Sequence, residues 1–235
     1  MKKVVHRANT RGHADHGWLK SFHTFSFAGY YDPERTNFGL LRVLNDDVIE
    51  GGKGFGKHPH DNMEIISIPI FGAIAHKDST GRDKVINTND VQIMSAGRGI
   101  AHSEFNASET ASANFLQLWV FPKEVDIEPR YEQKTFDPSG RKNKFQTVVS
   151  PEDTGAVWIN QDAYFSLGNL DKGIALDYKV RKTGNGVYAF VINGEVKIND
   201  EVLQRRDAIG LSEMERIHIE ATADAEVLLM EVPMN

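Results

Sequence analysis

Short apolar segments recur along this chain at intervals of about ten residues, and clusters of Gly, Asn and Asp separate them. Strands of roughly 4 to 8 residues bounded by turn residues have this appearance, and no long stretch has the period of an amphipathic helix. The pattern predicts an all-β sandwich or barrel. The clearest segments are Leu40–Ile49, Glu64–Ala75, Val91–Met94, Phe115–Phe121, Val187–Ile198 and Val227–Val232.

The second half of the sequence repeats the first in weakened form. Residues Ile65–Ala75 and Tyr188–Ile198 each read as an apolar strand, a single glycine turn and a second strand. A duplicated β-barrel would explain this repeat and also the length of 235 residues, which exceeds the usual domain size. We expect a boundary within Pro129–Asp137, with one domain over residues 1–133 and the other over residues 134–235.

Composition excludes several kinds of partner. The formal net charge is −6 and no run of basic residues is longer than a pair, so we expect no direct binding of nucleic acid. No stretch approaches the ~20 apolar residues that cross a bilayer, so we expect no membrane partner. Polar Asn9, Thr10 and Arg11 interrupt the region where a signal peptide would be apolar, and a cytoplasmic location is therefore expected.

The chain has no cysteine, which excludes disulfides, zinc–thiolate sites, iron–sulfur clusters and thiol nucleophiles. Any metal must therefore have nitrogen and oxygen ligands, and two short motifs offer them. His58 and His60 are one residue apart, so both imidazoles project from the same face of a strand. His102 and Glu104 have the same spacing. Two such strands would form a four-ligand site, although spacing alone leaves two unrelated clusters as an alternative.

Both motifs resemble those of the cupin superfamily. Gly52-x5-His58-x-His60-x3-Glu64, followed by Gly72, resembles the first cupin motif, with Gly72 one residue later than usual. Gly99-x2-His102 resembles the core of the second motif. Asn89 and Gly97 stand where many cupins carry Gly and Pro.

A more specific resemblance is to the pirin family, through His58-Pro59-His60-x3-Glu64 together with Met94–Glu104. The segments Arg11–Pro33 and Leu41–Asp47 are similar to bacterial pirins. This resemblance implies a bicupin, which is two tandem antiparallel β-barrels of the jelly-roll type, with metal in the first barrel only.

The pirin resemblance implies that His58, His60, His102 and Glu104 are the metal ligands. In germin-like cupins the carboxylate ligand comes from the first motif, which would make it Glu64 here. Along a straight strand Glu64 would lie ~13 Å beyond His60, but a turn between them could bring it back. We favour Glu104, and the choice stays open at this point.

Three neutral imidazoles and one carboxylate suit a divalent ion with open positions for an anionic oxygen substrate. Fe, Mn, Ni, Co, Cu or Zn would accept these ligands, and the pirin resemblance implies Fe as the leading candidate. The resemblance to bacterial pirins implies quercetin 2,3-dioxygenase activity, in which flavonols such as quercetin are cleaved with O2 and carbon monoxide is released. Glu104 would take the proton of the flavonol 3-hydroxyl, and no organic cofactor is expected.

Eukaryotic pirins imply a second hypothesis, a metal-dependent and redox-responsive transcriptional cofactor that binds other proteins. The acidic balance of the chain means that such a role would depend on a protein partner and not on DNA. We favour the enzyme.

The remaining histidines have structural interpretations. His76 is expected to be a half-exposed strand residue. His13, His16 and His23 lie among aromatic residues, where we expect packing in preference to a lid over a cavity. His218 is alone in its half of the chain, so the second barrel is expected to hold no metal and to be closed by apolar side chains.

Overall fold

The computed structural model describes all 235 residues, Met1–Asn235, and nearly all of its regular structure is strand, as predicted. Two single-turn 3-10 helices occur, and none of the helical segments is long and apolar enough to cross a membrane. The 3-10 helices are Ala8–Thr10 and Pro138–Arg141. The first strands are β1 (Lys2–His6), β2 (Gly12–Asp15), β3 (Leu19–His23), β4 (Leu41–Ile49), β5 (Gly54–His60), β6 (Glu64–Phe71), β7 (Ala73–Asp78), β8 (Asp83–Asn87), β9 (Asp90–Ser95), β10 (Ile100–Asn106), β11 (Ala113–Val120) and β12 (Arg130–Thr135). The remaining strands are β13 (Phe145–Ser150), β14 (Val157–Trp158), β15 (Tyr164–Leu170), β16 (Ala175–Lys179), β17 (Asn185–Asn193), β18 (Glu195–Ile198), β19 (Glu201–Gln204), β20 (Ala208–Ser212), β21 (Arg216–Ala221) and β22 (Ala225–Pro233).

The strands form two units of the same design, each with a seven-stranded and a four-stranded sheet. In the first unit the orders are β12-β9-β6-β11-β4-β3-β2 and β5-β10-β7-β8. In the second unit they are β1-β20-β17-β22-β15-β13-β14 and β16-β21-β18-β19. The central strands of the two units correspond one to one, so the duplication read from the sequence is present in the fold. This is the jelly-roll bicupin architecture.

The glycine turns of the sequence repeat occupy equivalent corners. Gly72 links β6 to β7 and Gly194 links β17 to β18, so each carries the chain from a large sheet to a small one. Both have positive φ, 75° and 81°, which glycine adopts without steric cost. A Cβ at Gly194 would also overlap the carbonyl oxygen of Asp224. Glycine is therefore required at this corner.

Apolar side chains pack in several layers, and the largest of these layers joins the two units. The largest core cluster, 26 buried residues, lies between the two seven-stranded sheets and includes Leu118 from β11 and Phe190 from β17. A second cluster of 16 residues fills the space between the two sheets of the second unit. The corresponding space in the first unit holds two smaller apolar clusters, one of 6 residues that includes Ile74 and one of 4 residues that includes Ile100. The rest of that interior is polar, and the candidate site lies there.

The first and last strands of the N-terminal half, β1 and β12, lie at the edges of different large sheets. β12 pairs with β9 at the edge of the first large sheet, whereas β1 pairs with β20 at the equivalent edge of the second. The N-terminal strand is therefore hydrogen-bonded to the second unit. The division into residues 1–133 and 134–235 falls within β12 and stays a proposal.

Candidate metal centre

Three predicted ligands meet where β5 pairs with β10. Their register places His102 opposite His58 and Ile100 opposite His60. The Nε2 atoms of His60 and His102 are 3.0 Å apart, and one ring nitrogen from each of the three histidines lies within 4.8 Å of the others. The one-residue spacing in β5 therefore presents both imidazoles to the same point, as expected for a strand.

The ring of His58 is oriented by its own strand. The register between β5 and β10 shifts after His102, and at this irregularity the carbonyl of Gly56 turns toward the imidazole. His58 Nδ1 donates to Gly56 O at 2.8 Å. This bond fixes the hydrogen on Nδ1 and leaves the Nε2 lone pair free for a metal, an arrangement typical of histidine ligands.

Glu104 lies beside the histidines on the inner face of β10. Its side chain is buried and accepts hydrogen bonds from Ser67 Oγ at 3.2 Å and Gln117 Nε2 at 2.7 Å. Ligand atoms of Glu104, His102 and His76 lie within 4.8 Å of one another. His102 belongs to both groups, so Glu104 lies next to the three-histidine group through His102, and the four-ligand set stays a prediction.

Glu64 lies on the opposite face of β6 from the cavity. It accepts hydrogen bonds from Ser95 Oγ at 2.8 Å and from the backbone N–H of Asn160 at 3.1 Å. Ser67, three residues further along the strand, points to Glu104 instead. Since side chains three apart on a strand lie on opposite faces, Glu64 cannot share the interior with Glu104 without a change of register.

The prediction for His76 was wrong, because this side chain is completely buried. β7 is an inner strand of the small sheet, and its pairing with β10 places His76 directly opposite Glu104. His76 Nε2 lies 3.0 Å from Asp78 Oδ2, while Nδ1 has no hydrogen-bond partner. The spacing of His76 and Asp78 repeats that of the other two pairs, and this was the signal available in the sequence.

The electrostatics of the centre favour neutral imidazoles. Burial, together with the neighbouring His58, lowers the pKa of His60 to about 4 and that of His102 to about 2. Burial also raises the pKa of Glu104. His102 Nδ1 is buried without a partner. Neutral nitrogen donors beside a carboxyl that lacks a countercharge are the groups that a divalent cation stabilises, so these residues fit such an ion.

A cavity of about 630 Å³ opens onto His58, His60 and Glu104. Its volume is in the usual range for small-molecule sites, roughly 300 to 1,000 Å³. Trp119 packs edge-on against His60, with 5.0 Å between ring centroids, so an aromatic wall adjoins the histidines. The aromatic residues that line the cavity are Phe27, Tyr30, Phe55 and Trp119.

The N-terminal segment both packs and lines this cavity. His13 stacks on Phe22 at 4.7 Å, as the packing prediction requires. His13, His16 and His23 are also part of the cavity wall, together with Tyr30. The sequence interpretation, which weighed packing against a lid, missed that the packed segment also forms part of the cavity wall.

Sequence reasoning also missed a polar cluster on the cavity wall. Ser21 and His23 on β3 and Asn45 and Asp47 on β4 all face the cavity. The available signal was the run of three polar residues, Asn45–Asp47, inside the largely apolar segment Leu41–Ile49.

The second unit has a different interior. His218 lies on β21, the strand equivalent to β10, but its side chain is exposed and its Nδ1 lies 2.8 Å from Asp177 Oδ1. Apolar side chains such as Val187 and Ile219 fill the space between the sheets, as predicted. That this unit binds no metal stays a prediction.

Comparisons with known proteins match both halves of the chain. Residues 4–120 match the family model described as "Pirin". Residues 147–232 match the model described as "Quercetinase C-terminal cupin domain".

Whole-length relatives carry names in keeping with these models. The chain is 43% identical over 230 residues to a quercetin 2,3-dioxygenase of Escherichia coli strain K12, covering 97% of this chain and 98% of that protein. The crystal structure of YhhW from Escherichia coli superposes with a TM-score of 0.95 at 42% identity, covering 99% and 98% of the two chains. A structure of bacterial pirin YhhW in complex with nickel(II), also from Escherichia coli, gives a TM-score of 0.93 at 41% identity, with 99% of each chain covered.

Proposed function

The chain belongs to the pirin family, and we propose that it is a quercetin 2,3-dioxygenase, a metal-dependent enzyme that cleaves flavonols with O2. The observation that carries the proposal is the convergence of three imidazoles, with a buried carboxyl next to one of them, beside an aromatic cavity. A flavonol is planar and aromatic, and its neighbouring 3-hydroxyl and 4-keto oxygens suit a cation held there.

We propose His58, His60, His102 and Glu104 as the ligands of a divalent metal. The proximity of the three ring nitrogens, the lowered pKa values of His60 and His102 and the position of Glu104 beside His102 support this set. Among the metals that such ligands accept, we propose Fe as the native ion, with Zn, Mn, Ni, Co or Cu as possible substitutes. Metal analysis of protein purified without added metal tests this choice.

When bound, the metal supplies Lewis acidity that stabilises the anionic form of an enolic hydroxyl. The protein supplies the proton acceptor. Ser67 and Gln117 hold the Glu104 carboxyl in place, and burial raises its pKa, which makes it a stronger base than an exposed glutamate. Glu104 is therefore suited to take the 3-hydroxyl proton.

The aromatic wall orients the substrate and excludes water. Phe27 packs edge-on against Trp119 with 5.4 Å between ring centroids, and Tyr30 stacks near His23 at 6.5 Å. A Cβ at Gly12 would overlap the Tyr30 ring, so the absence of a side chain at Gly12 allows Tyr30 its position. Planar rings of a flavonol fit between such walls.

The test is oxygen consumption by iron-loaded protein in the presence of flavonols. We expect flavonol and O2 to disappear in equal amounts, with an equal amount of carbon monoxide released. His58→Ala should lose metal and activity together. The matched control is His218→Ala, which removes an exposed histidine of the second unit and should change neither.

Iron-loaded wild-type protein that consumes neither O2 nor any flavonol would overturn the enzyme. The transcriptional cofactor with a protein partner would then be the leading hypothesis. The cytoplasmic location remains a prediction.

A further inference from the structure

The polar cluster on the cavity wall adjoins the proposed metal ligands. β3 and β4 pair so that Ser21 is opposite Asp47 and His23 is opposite Asn45. All four side chains are buried and line the same cavity as His58, His60 and Glu104. On the neighbouring strand β11, Gln117 is opposite Asn45 and holds Glu104. The cluster therefore continues the polar wall beyond the metal ligands.

Hydrogen bonds inside the cluster leave the outer atoms of Asp47 and Asn45 open. Ser21 Oγ donates to Asp47 Oδ1. His23 Nδ1 lies 2.9 Å from Asn45 Oδ1, and because a carbonyl oxygen only accepts, His23 Nδ1 carries the hydrogen. No protein group bonds Asp47 Oδ2 or Asn45 Nδ2, and neither atom is sealed from the cavity. β4 therefore offers a ligand one acceptor, Asp47 Oδ2, and one donor, Asn45 Nδ2.

Asp47 is buried without a countercharge. It is 3% exposed, and no Lys, Arg or His nitrogen lies within 4.0 Å of its carboxyl oxygens. Its neighbour Asp46 faces the other side of β4 and pairs with Arg206 at 3.0 Å and Arg11 at 3.3 Å. An unpaired buried carboxylate costs stability, and burial raises the pKa of Asp47 to about 7. Such a group is expected where it serves a ligand.

We propose that Asp47 and Asn45 form a second subsite, which binds a phenolic hydroxyl of the substrate other than the oxygens that face the metal. A hydroxyl donates once and accepts, so it can donate to Asp47 Oδ2 and accept from Asn45 Nδ2. The preferred substrate is then a polyhydroxylated planar aromatic compound. The inference takes the flavonol skeleton from the proposed function and adds the requirement for a further hydroxyl.

The test measures binding and so does not depend on turnover. Zinc-loaded protein is titrated without oxygen with quercetin and with 3-hydroxyflavone, which keeps the 3-hydroxy-4-keto group but lacks every other hydroxyl. We expect wild type to bind quercetin more tightly. Asp47→Asn replaces the acceptor by an amide, and it should reduce this preference by about 10- to 100-fold, the value of a hydrogen bond to a charged group. Binding of 3-hydroxyflavone should be unchanged.

The matched control is Asp90→Asn. Asp90 is equally buried, at 3% exposure, and accepts from Gln133 and Thr135 outside the cavity. Asp90→Asn should leave the ratio of the dissociation constants of quercetin and 3-hydroxyflavone unchanged. If Asp47→Asn weakens the binding of both flavonols equally, Asp47 has a structural role and the proposal is overturned.

If Asp47→Asn does not fold, the titrations of wild-type protein test the subsite on their own. Equal affinity of wild type for the two flavonols, or binding of neither, would overturn the proposal. Tighter binding of quercetin supports it. Failure of the proposed function is read separately, as absent oxygen uptake by iron-loaded protein that still binds quercetin.

Discussion

At the scale of single residues, the face of a strand decides what a carboxyl can do. Glu64 and Glu104 are both 1% exposed, both accept a hydrogen bond from a serine hydroxyl, and burial raises the pKa of both. Glu104 faces the cavity and the histidines, whereas Glu64 faces the second unit through Asn160. The two residues form a natural matched pair for mutation.

We predict that Glu104→Gln lowers the rate of flavonol consumption about 10²- to 10⁴-fold, because an amide cannot take a proton. Glu64→Gln should change the rate little, since Gln retains an oxygen that accepts from Ser95 and Asn160. Single-turnover consumption under air, with metal content determined for each variant, is the measurement. A larger loss in Glu64→Gln than in Glu104→Gln would exchange the roles of the two residues.

At the scale of elements, β1 shows how a strand far away in sequence completes a sheet. Its five residues pair with β20, and His6 at its end is buried. His6 Nδ1 lies 2.6 Å from Tyr188 Oη, and the imidazole packs against Phe25 at 5.9 Å. An imidazole surrounded in this way is held neutral, because charging it would require desolvation of the ion.

Acid should therefore weaken the attachment of β1. Burial, assisted by Arg35 and opposed by Asp32, lowers the pKa of His6 to about 4 from its ordinary 6.5. Above pH 6.5 both folded and unfolded chains carry a neutral His6, so stability does not change through this group. As pH falls from 6.5 to about 4, only the unfolded chain takes up the proton, and the free energy of unfolding falls.

His6→Gln removes this titration. We predict that the difference in unfolding free energy between wild type and His6→Gln narrows from pH 7.5 to pH 5, as measured by urea denaturation. His218→Gln, at an exposed histidine, serves as the control and should track wild type at both values. A pH-independent difference between wild type and His6→Gln would contradict the assignment.

At the scale of the whole molecule, the largest core belongs to neither unit alone. The 26-residue cluster joins the two large sheets, and Arg206 of the second unit reaches Asp46 at 3.0 Å and Asn114 Oδ1 at 2.9 Å in the first. A charge pair buried with satisfied hydrogen bonds is costly to break. The two units should therefore unfold together.

Metal added to the first unit should then stabilise the second. The chain has three tryptophans, and Trp158 is the one in the second unit. In Trp18→Phe/Trp119→Phe, the melting temperature reported by Trp158 fluorescence should rise with zinc by about 5 to 10 °C at 100 times Kd. Trp158→Phe, which reports the first unit, should show the same rise. If the melting temperature reported by Trp158 does not change with zinc, the two units unfold independently.

The sequence alone determined the features that depend on neighbouring residues. Strand geometry repeats every two residues, so the spacing of His58 with His60, and of His102 with Glu104, fixed each pair on one face. A single glycine, the residue that adopts positive φ without steric cost, likewise marked both corners of the duplicated fold. The resemblance carried by these motifs gave the family before any coordinates.

Only the tertiary structure decided which strands lie side by side. The pairing of β7 with β10 placed His76 next to Glu104, and the pairing of β3 with β4 assembled the cluster around Asp47. The tertiary structure likewise decided that β1 pairs with β20 and that Glu64 points toward Asn160 and away from the cavity. Each depends on contacts between residues far apart in sequence, whose stability comes from burying the sheets against each other. No local spacing encodes that choice.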